Sequence, residues 1–564
     1  MRTNPTSSTA AAPVLTPSGR ATLASALALA AALATSAGCI GADAELEGDE
    51  PDPAAISSRA DASTFVDKVT AGYQAWFGCP TSDMGTNWTH WSYGNNPEPG
   101  RISFELYPDV SEYDPRDLCD TNLGNLGNGQ RARLYNAAGA SVIDTHLRWM
   151  AEYGIDGIGV QRFVVGLGNP TRSYEILRRI RAAAERHGRI YYVMYDISGA
   201  GEATWAEDIK RDWLALVEGG EGHAGSPQYA HQDGKPVVNV WGIGSGDRPG
   251  TGAQALELIR WFQARGVYVA GGVPYSWRSP GGAKPGFDEA FAALDLVQPW
   301  SVGTFASRGD LDGHFSDLVP GDVALTDQRG QAYQRVIWPG FAWSNWNAPP
   351  QNGIPRRAGD FFWSQAYHTA RLGTGAYLAM FDEYDEGTAL AKAAVDRSQT
   401  PNNQYFLTLD ADGTRVSSDF YLRLAGAATK MIRGEAPVTA QVPIERIPGE
   451  APPVTSRLAG GAWLPAGGSL TSSDGRFVFT YQGDGNLVLY QQGAPIWASG
   501  TGGAAGRVTM QDDGNLVVSA ADGAVVWSSG SGGHPGAALE LQNDGNVVIY
   551  AAGAPVWSTG TAGR

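Results

Sequence analysis

The segment AYLAMFDEYDEGT, residues 376–388, joins an apolar run to a dense group of acidic side chains. The apolar part, residues 376–380, is typical of a buried strand. The acidic part contains four carboxylates, those of Asp382, Glu383, Asp385 and Glu386. Such a group is more often a solvated turn, because like charges repel one another when they are buried together. The rest of the chain decides between a turn and a functional site.

Segments that predict strands alternate with segments that predict helices from about residue 61 onward. The predicted strands cover residues 72–78, 155–163, 190–196, 236–241, 267–274, 296–300, 335–341 and 376–381. The predicted helices cover residues 141–153, 173–187, 207–217, 253–265, 287–294 and 360–371. This alternation predicts an α/β fold, a (β/α)8 TIM barrel with its site at the C-terminal strand ends. A doubly wound sheet is the alternative, but the sequence lacks the glycine fingerprint such folds use for phosphates.

Polar and aromatic residues stand at the predicted C-terminal ends of several strands. Aromatic rings pack on the apolar faces of sugar rings, so this combination favours a carbohydrate site. The candidate substrate-binding residues are Tyr73, Gln74, Trp76, Arg162, Asp196, Trp241, Trp277, Trp343 and Asn345. Packing at the barrel rim is the alternative for each residue taken singly. The recurrence of such residues at matching strand ends is what makes the set informative.

Glu383 and Glu386 stand three residues apart after the last predicted strand. Glycoside hydrolysis needs one carboxylic acid to protonate the leaving oxygen and one carboxylate to activate the attacking group. We therefore expect Glu383 and Glu386 to be the catalytic pair, with neighbouring carboxylates raising the pKa of the acid. No metal-binding motif is present in the sequence, and the prediction includes neither a metal nor a cofactor.

Four segments together resemble the glycoside hydrolase family 71/99-like proteins over about residues 62–435. These segments are Gly72–Gly78, Pro108–Tyr113, Pro339–Trp343 and Phe381–Thr388. The resemblance implies cleavage of α-mannosides by a retaining mechanism in which the 2-hydroxyl of the substrate takes part. Carried over by position, Glu383 deprotonates that hydroxyl, and Glu386 acts first as acid and then as base. Asp382, Tyr384 and Asp385 replace the Asn, Trp and His of the family motif.

The pattern Gln-x-Asp-x-Asn-x-Val-x-Tyr occurs three times near the C-terminus. The first copy is Gln482, Asp484, Asn486, Val488 and Tyr490. The second is Gln511, Asp513, Asn515 and Val517, with Ser519 in the tyrosine position. The third is Gln542, Asp544, Asn546, Val548 and Tyr550. A tryptophan follows each copy, at Trp497, Trp527 and Trp557, and three such all-β units predict a threefold β-prism.

This pattern closely resembles the mannose-binding signature of the bulb-type lectins, whose fold is the β-prism II. The resemblance implies that the polar trio holds the 2-hydroxyl of mannose and its neighbour, that valine contacts the ring and that tyrosine bonds O4. We expect the first and third copies to bind mannose and the second to be weak or silent. The alternative is that the repeats persist only to build the prism.

Composition and these resemblances divide the chain into five segments. They are a signal segment at 1–39, an acidic linker at 40–61, the barrel at 62–435, a proline-rich linker at 436–455 and the lectin domain at 456–562. The first segment resembles a bacterial secretory signal, and Ser36–Cys39 resembles a lipoprotein box in which Cys39 is acylated. An exported setting lets Cys79 and Cys119 form a disulfide, with two unpaired thiols as the alternative.

The sequence therefore predicts an exported enzyme, either a cell-surface lipoprotein or a secreted protein, that hydrolyses α-mannosidic bonds. Its partner is a mannose-containing polysaccharide or glycan, which the lectin domain holds near the barrel. A net charge of −17 argues against nucleic acid as a partner, and contact with a membrane is expected only through the lipid anchor. Two alternatives remain: a non-catalytic mannose-binding surface adhesin, and an α-glucan hydrolase.

Overall fold

The computed structural model describes residues 59–85, 87–168, 170–347, 350–447, 456–465, 468–503, 505–520 and 523–563. The predicted signal segment with Cys39, most of the acidic linker and part of the proline-rich linker lie outside these residues. The chain divides into two compact units near residue 438, and the second unit comprises Arg415–Ser417 and Thr439–Arg564.

The first unit contains twelve strands within the described residues. Their bounds are β1 Val69–Tyr73, β2 Leu118–Asn125, β3 Arg131–Tyr135, β4 Gly157–Phe163, β5 Ile190–Asp196, β6 His231–Gln232, β7 Lys235–Trp241, β8 Tyr268–Pro274, β9 Leu296–Trp300, β10 Ala332–Tyr333, β11 Arg335–Ile337 and β12 Ala376–Leu378. The α-helices described in this unit are α1 Ala140–Tyr153, α2 Pro170–His187, α3 Trp205–Trp213, α4 Gly252–Ala264, α5 Asp288–Ala293, α6 Arg308–Gly313, α7 Val319–Arg329, α8 Asp360–Leu372 and α9 Phe420–Ile432.

The parallel strands form a nearly closed (β/α)8 barrel, as predicted. Around the barrel the order is β1, β4, β5, β7, β8 and β9, followed by β10 with β11, then β12 and β1 again. The short strands β10 and β11 act as one strand interrupted at Gln334. Ala332 of β10 pairs with Leu296 of β9, and Arg335 of β11 pairs with Ala376 of β12. The two halves of this strand therefore connect the barrel on both sides.

Most periodic segments form the predicted elements, and the differences lie at the strand ends. Strands β5 and β9 have the predicted bounds, and α1 ends at Gly154, which adopts a left-handed φ of 80°. The strand predicted over 72–78 is wrong beyond Tyr73. The chain leaves the sheet there because Ala75 has a φ of 51° and its N–H donates to the side chain of Asp382.

The long segment between β1 and α1 contains structure that the sequence did not predict. Strands β2 and β3 form an antiparallel hairpin there. Cys79 and Cys119, the pair expected from the sequence, are joined by a disulfide with an S–S distance of 2.06 Å, so β2 is linked covalently to the chain that follows β1. Helices α6 and α7, which lie between β9 and β10, were not predicted.

The second unit is built from three antiparallel sheets of four strands each. Its strands are β13 Arg457–Leu458, β14 Trp463–Pro465, β15 Ser469–Thr471, β16 Phe477–Tyr481, β17 Leu487–Gln491, β18 Ala494–Ala498, β19 Ala505–Met510, β20 Leu516–Ala520, β21 Val525–Ser528, β22 Ala538–Leu541, β23 Val547–Ala551 and β24 Ala554–Ser558. Trp497, Trp527 and Trp557 meet edge to face, with ring centroids 5.8–6.2 Å apart. This arrangement is the predicted all-β prism.

None of the helices within the described residues is both long and apolar enough to cross a membrane. The same residues contain no group of three or more His, Cys, Asp or Glu side chains that could hold a metal ion.

Candidate active site and saccharide sites

The acidic loop, defined as residues 381–390, follows β12 and lies against the end of β1. The N–H of Phe381 donates to the carbonyl of Gly72 at 2.8 Å. The Asp382 carboxylate accepts hydrogen bonds from the backbone N–H groups of Gln74 at 3.0 Å and Ala75 at 2.8 Å. Asp382 is therefore a positioning group, because its hydrogen bonds join the ends of two neighbouring strands.

A buried arginine supports the other side of the acidic loop. The Nη2 of Arg356 donates to the carbonyls of Gly387 at 2.8 Å and Ala389 at 2.7 Å. The Arg356 guanidinium also lies 4.4 Å from the ring centroid of Tyr421 on α9. This cation fixes the backbone of the loop, and its hydrogen bonds go to carbonyl oxygens of the loop.

Burial raises the pKa values of all four carboxylates in the acidic loop. It raises the pKa of Glu386 to about 7, with the charge of Asp385 adding to the effect and Arg248 opposing it. It raises the pKa of Glu383 well above its usual range, and the charges of Asp385 and Glu386 contribute. Burial also raises the pKa of Asp382 to about 7 and that of Asp385 to about 6.

These shifts give the loop the chemistry of an acid–base pair. The cluster holds protons near neutral pH, which is the condition for a carboxylic acid that must protonate a leaving group. Glu383 is 6% exposed, whereas Glu386 keeps more contact with solvent. The deeper burial of Glu383 disfavours its charged form, whereas the family resemblance assigns the role of the acid to Glu386.

A chain of hydrogen bonds links the ends of three neighbouring strands beside the acidic loop. The Nε2 of Gln74 donates to Gln161 at 3.3 Å, and the Nε2 of Gln161 donates to Asp196 at 2.5 Å. Several buried oxygens of the described residues lack a hydrogen-bond partner, and in this region they include Gln74 Oε1, Glu383 Oε1 and Asp385 Oδ1. Unpaired acceptors are suited to bind the hydroxyl groups of a saccharide.

Arg248, which the sequence did not single out, belongs to this end of the barrel. It follows β7, and its guanidinium lies 4.9 Å from the ring centroid of Trp241. Its charge lowers the pKa values of both Glu386 and Asp196, so it is electrostatically coupled to the two sides of the site. Its position in a loop after a strand was the sole signal available, and many loop arginines share it.

Two predicted aromatic residues have neighbours that limit their free surface. The Trp76 ring stacks on His90 with centroids 3.7 Å apart and on Phe163 with centroids 5.1 Å apart. Trp343 meets Phe341 and Trp346 edge to face at 4.9 and 5.5 Å. Both tryptophans remain partly exposed, so they keep some surface for contact with a ligand.

For four other candidates the prediction of substrate binding is wrong, because their side chains bind or pack against other parts of the protein. The hydroxyl of Tyr73 lies 2.9 Å from His146 on α1, and Arg162 pairs with Asp212 on α3 at 2.6 Å. Successive side chains of a strand point to opposite faces of the sheet. The side chains of Tyr73 and Arg162 point outward, toward helices α1 and α3.

The remaining two corrections concern residues beyond the strands. Trp277 is 5% exposed and packs on Phe291 of α5, with ring centroids 5.7 Å apart. The amide of Asn345 donates to the carbonyls of Phe104 at 3.0 Å and Tyr405 at 2.9 Å. The Asn345 amide therefore connects two loops, and its hydrogen bonds are used for that purpose.

In the second unit, each polar trio lies in a tight turn before a strand. In the first copy the N–H of Gln482 donates to the carbonyl of Asn486 at 2.8 Å, and the N–H of Asn486 donates to the Asp484 carboxylate at 3.0 Å. Gly485 has a φ of 82°, a conformation that suits glycine. The turn thus presents the three polar side chains, whereas Val488 and Tyr490 lie in the following strand β17.

The tyrosine decides how the glutamine is held. The Nε2 of Gln482 donates to the hydroxyl of Tyr490 at 2.8 Å, and Gln542 donates to Tyr550 at the same distance. Gln482 and Gln542 are half-buried, whereas Gln511 is exposed because Ser519 is too short to receive its amide. The second copy also differs at a position that the sequence analysis did not identify. The N–H of His534 donates to the carbonyl of Asp513, where Gly503 and Gly563 serve the other copies.

These features define the class of each unit. The first is a (β/α)8 barrel with a buried carboxylate cluster of raised pKa at the C-terminal strand ends, and the second is a β-prism with two matching polar sites and one altered site. No protein-family profile matches the chain.

Similar proteins are found for both units. The mannose-specific lectin of Narcissus pseudonarcissus is 56% identical over 48 residues, which are 8% of this chain and 44% of that protein. The chain thus spans less than half the length of the curated relatives it matches. A mannose-binding lectin of Gastrodia elata is 41% identical, with 19% of this chain and 99% of that chain covered and a TM-score of 0.18. The GH99 endo-alpha-mannosidase of Bacteroides thetaiotaomicron is 14% identical, with 66% and 99% covered and a TM-score of 0.48.

The buried ion pair of Arg162 gives a direct test of the corrected assignment. We expect Arg162→Ala to lower the free energy of unfolding by about 3–5 kcal/mol, because it leaves the buried Asp212 carboxylate without its cation. Denaturant unfolding of the full chain measures this change. The matched control is Arg260→Ala on the exposed face of α4, which should change stability by less than about 0.5 kcal/mol. Equal stability of the two variants would contradict the assignment.

Proposed function

We propose that the protein is a glycoside hydrolase that cleaves α-mannosidic bonds and binds mannose through its second unit. The observation that carries the proposal is the pair Glu383 and Glu386 at the C-terminal end of β12, where burial raises both pKa values. The mannose preference is supported by the similarity of the second unit to mannose-specific lectins. It is also supported by the two copies of the repeat in which the glutamine donates to the tyrosine hydroxyl.

The proposed reaction retains configuration at the anomeric carbon. One carboxylate removes the proton from the 2-hydroxyl of the substrate, and the oxygen so freed attacks C1. The other carboxylic acid gives its proton to the departing glycosidic oxygen, which leaves a 1,2-anhydro sugar. That second carboxylate then takes a proton from water, which attacks C1. The first carboxyl group returns its proton to O2, so both groups recover their starting states.

Two assignments of these roles are consistent with the pair. The family resemblance makes Glu383 the base and Glu386 the acid. The burial of Glu383 favours the reverse, because the more deeply buried carboxyl group holds its proton more firmly. A substrate with a good leaving group separates the two, since such a group departs without help from an acid.

The second unit has the role of a tether in this proposal. Binding of mannose on the same polymer keeps the barrel close to further bonds and raises their effective concentration. We also propose export, with attachment to a membrane through acylated Cys39, because residues 1–39 resemble a secretory signal with a lipoprotein box.

The roles of Glu383 and Glu386 can be tested by replacing each carboxylate with its amide. Glu383→Gln and Glu386→Gln should each reduce release of sugars from α-mannan by about 10²–10⁴-fold, because each removes one proton-transfer group. The matched control is Glu257→Gln, an exposed carboxylate on α4, which should leave the rate unchanged. Cleavage of α-glucan alone would support the glucan hydrolase. No cleavage of either polymer, with mannose still bound, would support the adhesin.

The same variants decide which carboxyl group is the acid. On an aryl α-mannoside with a strongly acidic phenol as leaving group, the variant without the acid should regain most of its first-step rate. The variant without the base should remain slow on every substrate. Recovery by Glu383→Gln would establish the order favoured by burial, and recovery by Glu386→Gln would establish the order implied by the resemblance. Equal recovery by both would contradict separate roles.

The second copy of the repeat, with Ser519 in place of tyrosine, allows a test of how many mannose molecules the chain binds. Ser519→Tyr should raise the number of methyl α-mannoside molecules bound per chain from two to three, because it supplies the hydroxyl that Gln511 lacks. Tyr490→Ser, its matched counterpart, should lower the number from two to one. Isothermal titration calorimetry of the full chain counts the sites. Loss of all binding in Tyr490→Ser, or no gain in Ser519→Tyr, would show that the tyrosine does not decide occupancy.

A further inference from the structure

His90 is held beside the acidic loop by three separate contacts. Its Nδ1 lies 2.9 Å from Oδ2 of Asp385. Its ring stacks on Trp76 with centroids 3.7 Å apart and planes inclined by 13°. Its carbonyl accepts a hydrogen bond from the hydroxyl of Ser103 at 2.7 Å, and its backbone has a left-handed φ of 59°. This φ is uncommon for a residue other than glycine, so the surrounding contacts fix the backbone as well as the ring.

The contact with Asp385 determines which ring nitrogen of a neutral His90 carries the hydrogen. Above its pKa of about 6 the Asp385 carboxyl group is ionised and can only accept hydrogen bonds, so Nδ1 donates. The other nitrogen, Nε2, is then an acceptor. Within the described residues Nε2 has no hydrogen-bond partner, and the His90 side chain is 30% exposed. The ring therefore offers an open acceptor beside Asp385 of the acidic loop.

Two hydrogen bonds hold Asp385 in the orientation that it needs to bind His90. Its Oδ2 faces His90, and its backbone carbonyl accepts a hydrogen bond from Nε1 of Trp346 at 3.1 Å. Asp385 is buried, as are its neighbours Asp382 and Glu383. The carboxylate thus has a fixed backbone and a fixed direction toward His90.

We propose that Asp385 fixes the tautomer of His90 so that Nε2 accepts a hydrogen bond from a hydroxyl group of the saccharide bound at the acidic loop. His90 is then a specificity-determining residue for a neutral, hydroxyl-bearing sugar, and Asp385 is its positioning residue. This inference rests on the proposed function, since it places a saccharide beside Glu383 and Glu386. It adds a contact that the acid–base pair does not require.

Two substitutions of His90 separate this role from simple support of Asp385. The amide nitrogen of His90→Asn can occupy the place of Nδ1 and keep the bond to Asp385, but the variant has nothing at Nε2. The amide of His90→Gln reaches the place of Nε2 and can offer its oxygen there, but it loses the Asp385 bond. We expect KM to rise about 5- to 10-fold in His90→Asn and less in His90→Gln, with kcat changed little in both. The reverse order would overturn the proposal in favour of a supporting role.

A spectroscopic measurement tests the tautomer without reference to catalysis. Long-range ¹H–¹⁵N spectra of the full chain with labelled histidine distinguish Nδ1–H from Nε2–H rings, and His90→Asn identifies the His90 signal among the eight histidines. We expect the Nδ1–H form in the wild type and loss of that preference in Asp385→Asn, whose amide can also donate. Addition of α-mannobiose should shift the Nε2 resonance of His90.

The outcomes of the two experiments are separable. An Nε2–H ring in the wild type would overturn the inference even if the enzyme cleaves mannan. An Nδ1–H ring with a shifted Nε2 resonance, in a protein that cleaves no glycan, would uphold the sugar contact and refute hydrolysis. An Nδ1–H ring whose Nε2 resonance does not respond to any saccharide that the barrel cleaves would overturn the contact.

Discussion

The site depends on two hydrogen bonds, which the backbone N–H groups of Gln74 and Ala75 donate to the Asp382 carboxylate. Strands β1 and β12 are neighbours in the barrel although they lie about three hundred residues apart in the chain. Because Asp382 holds the two strand ends together, Gln74 is brought beside Glu383. The cost of burying Asp382 is offset by its two backbone donors, and its pKa is still raised to about 7 by burial.

Burial of the carboxylates carries an energetic cost, and it is also the source of the chemistry of the acidic loop. A cluster of carboxylates that was fully solvated would be ionised at neutral pH and could donate no proton. Here the supporting cation, Arg356, bonds to the carbonyls of Gly387 and Ala389, so it orders the loop through the backbone. The raised pKa values of Glu383 and Glu386 persist as a result. The structure thereby gains an acid at the expense of local stability.

The sequence predicts the barrel because its strands and helices are strongly periodic, and β5 and β9 have the predicted bounds. It predicts the acidic pair because those residues follow a strand directly. The errors at Tyr73 and Arg162 have a physical source, since the orientation of strand residues depends on a register that only the neighbouring strand fixes. His90 and Arg248 were missed because loop conformation, which brings them to the site, depends on long-range contacts.

The second copy of the polar repeat shows whether the fold needs the hydrogen bond from glutamine to tyrosine, because this copy lacks the tyrosine. The turn of the second copy keeps the bond between Asn515 and the Asp513 carboxylate at 2.9 Å, although Ser519 replaces the tyrosine. The three tryptophans still meet at the centre of the prism. The fold therefore does not need the bond from glutamine to tyrosine. Its presence in the first and third copies agrees with the proposal that these two copies bind mannose.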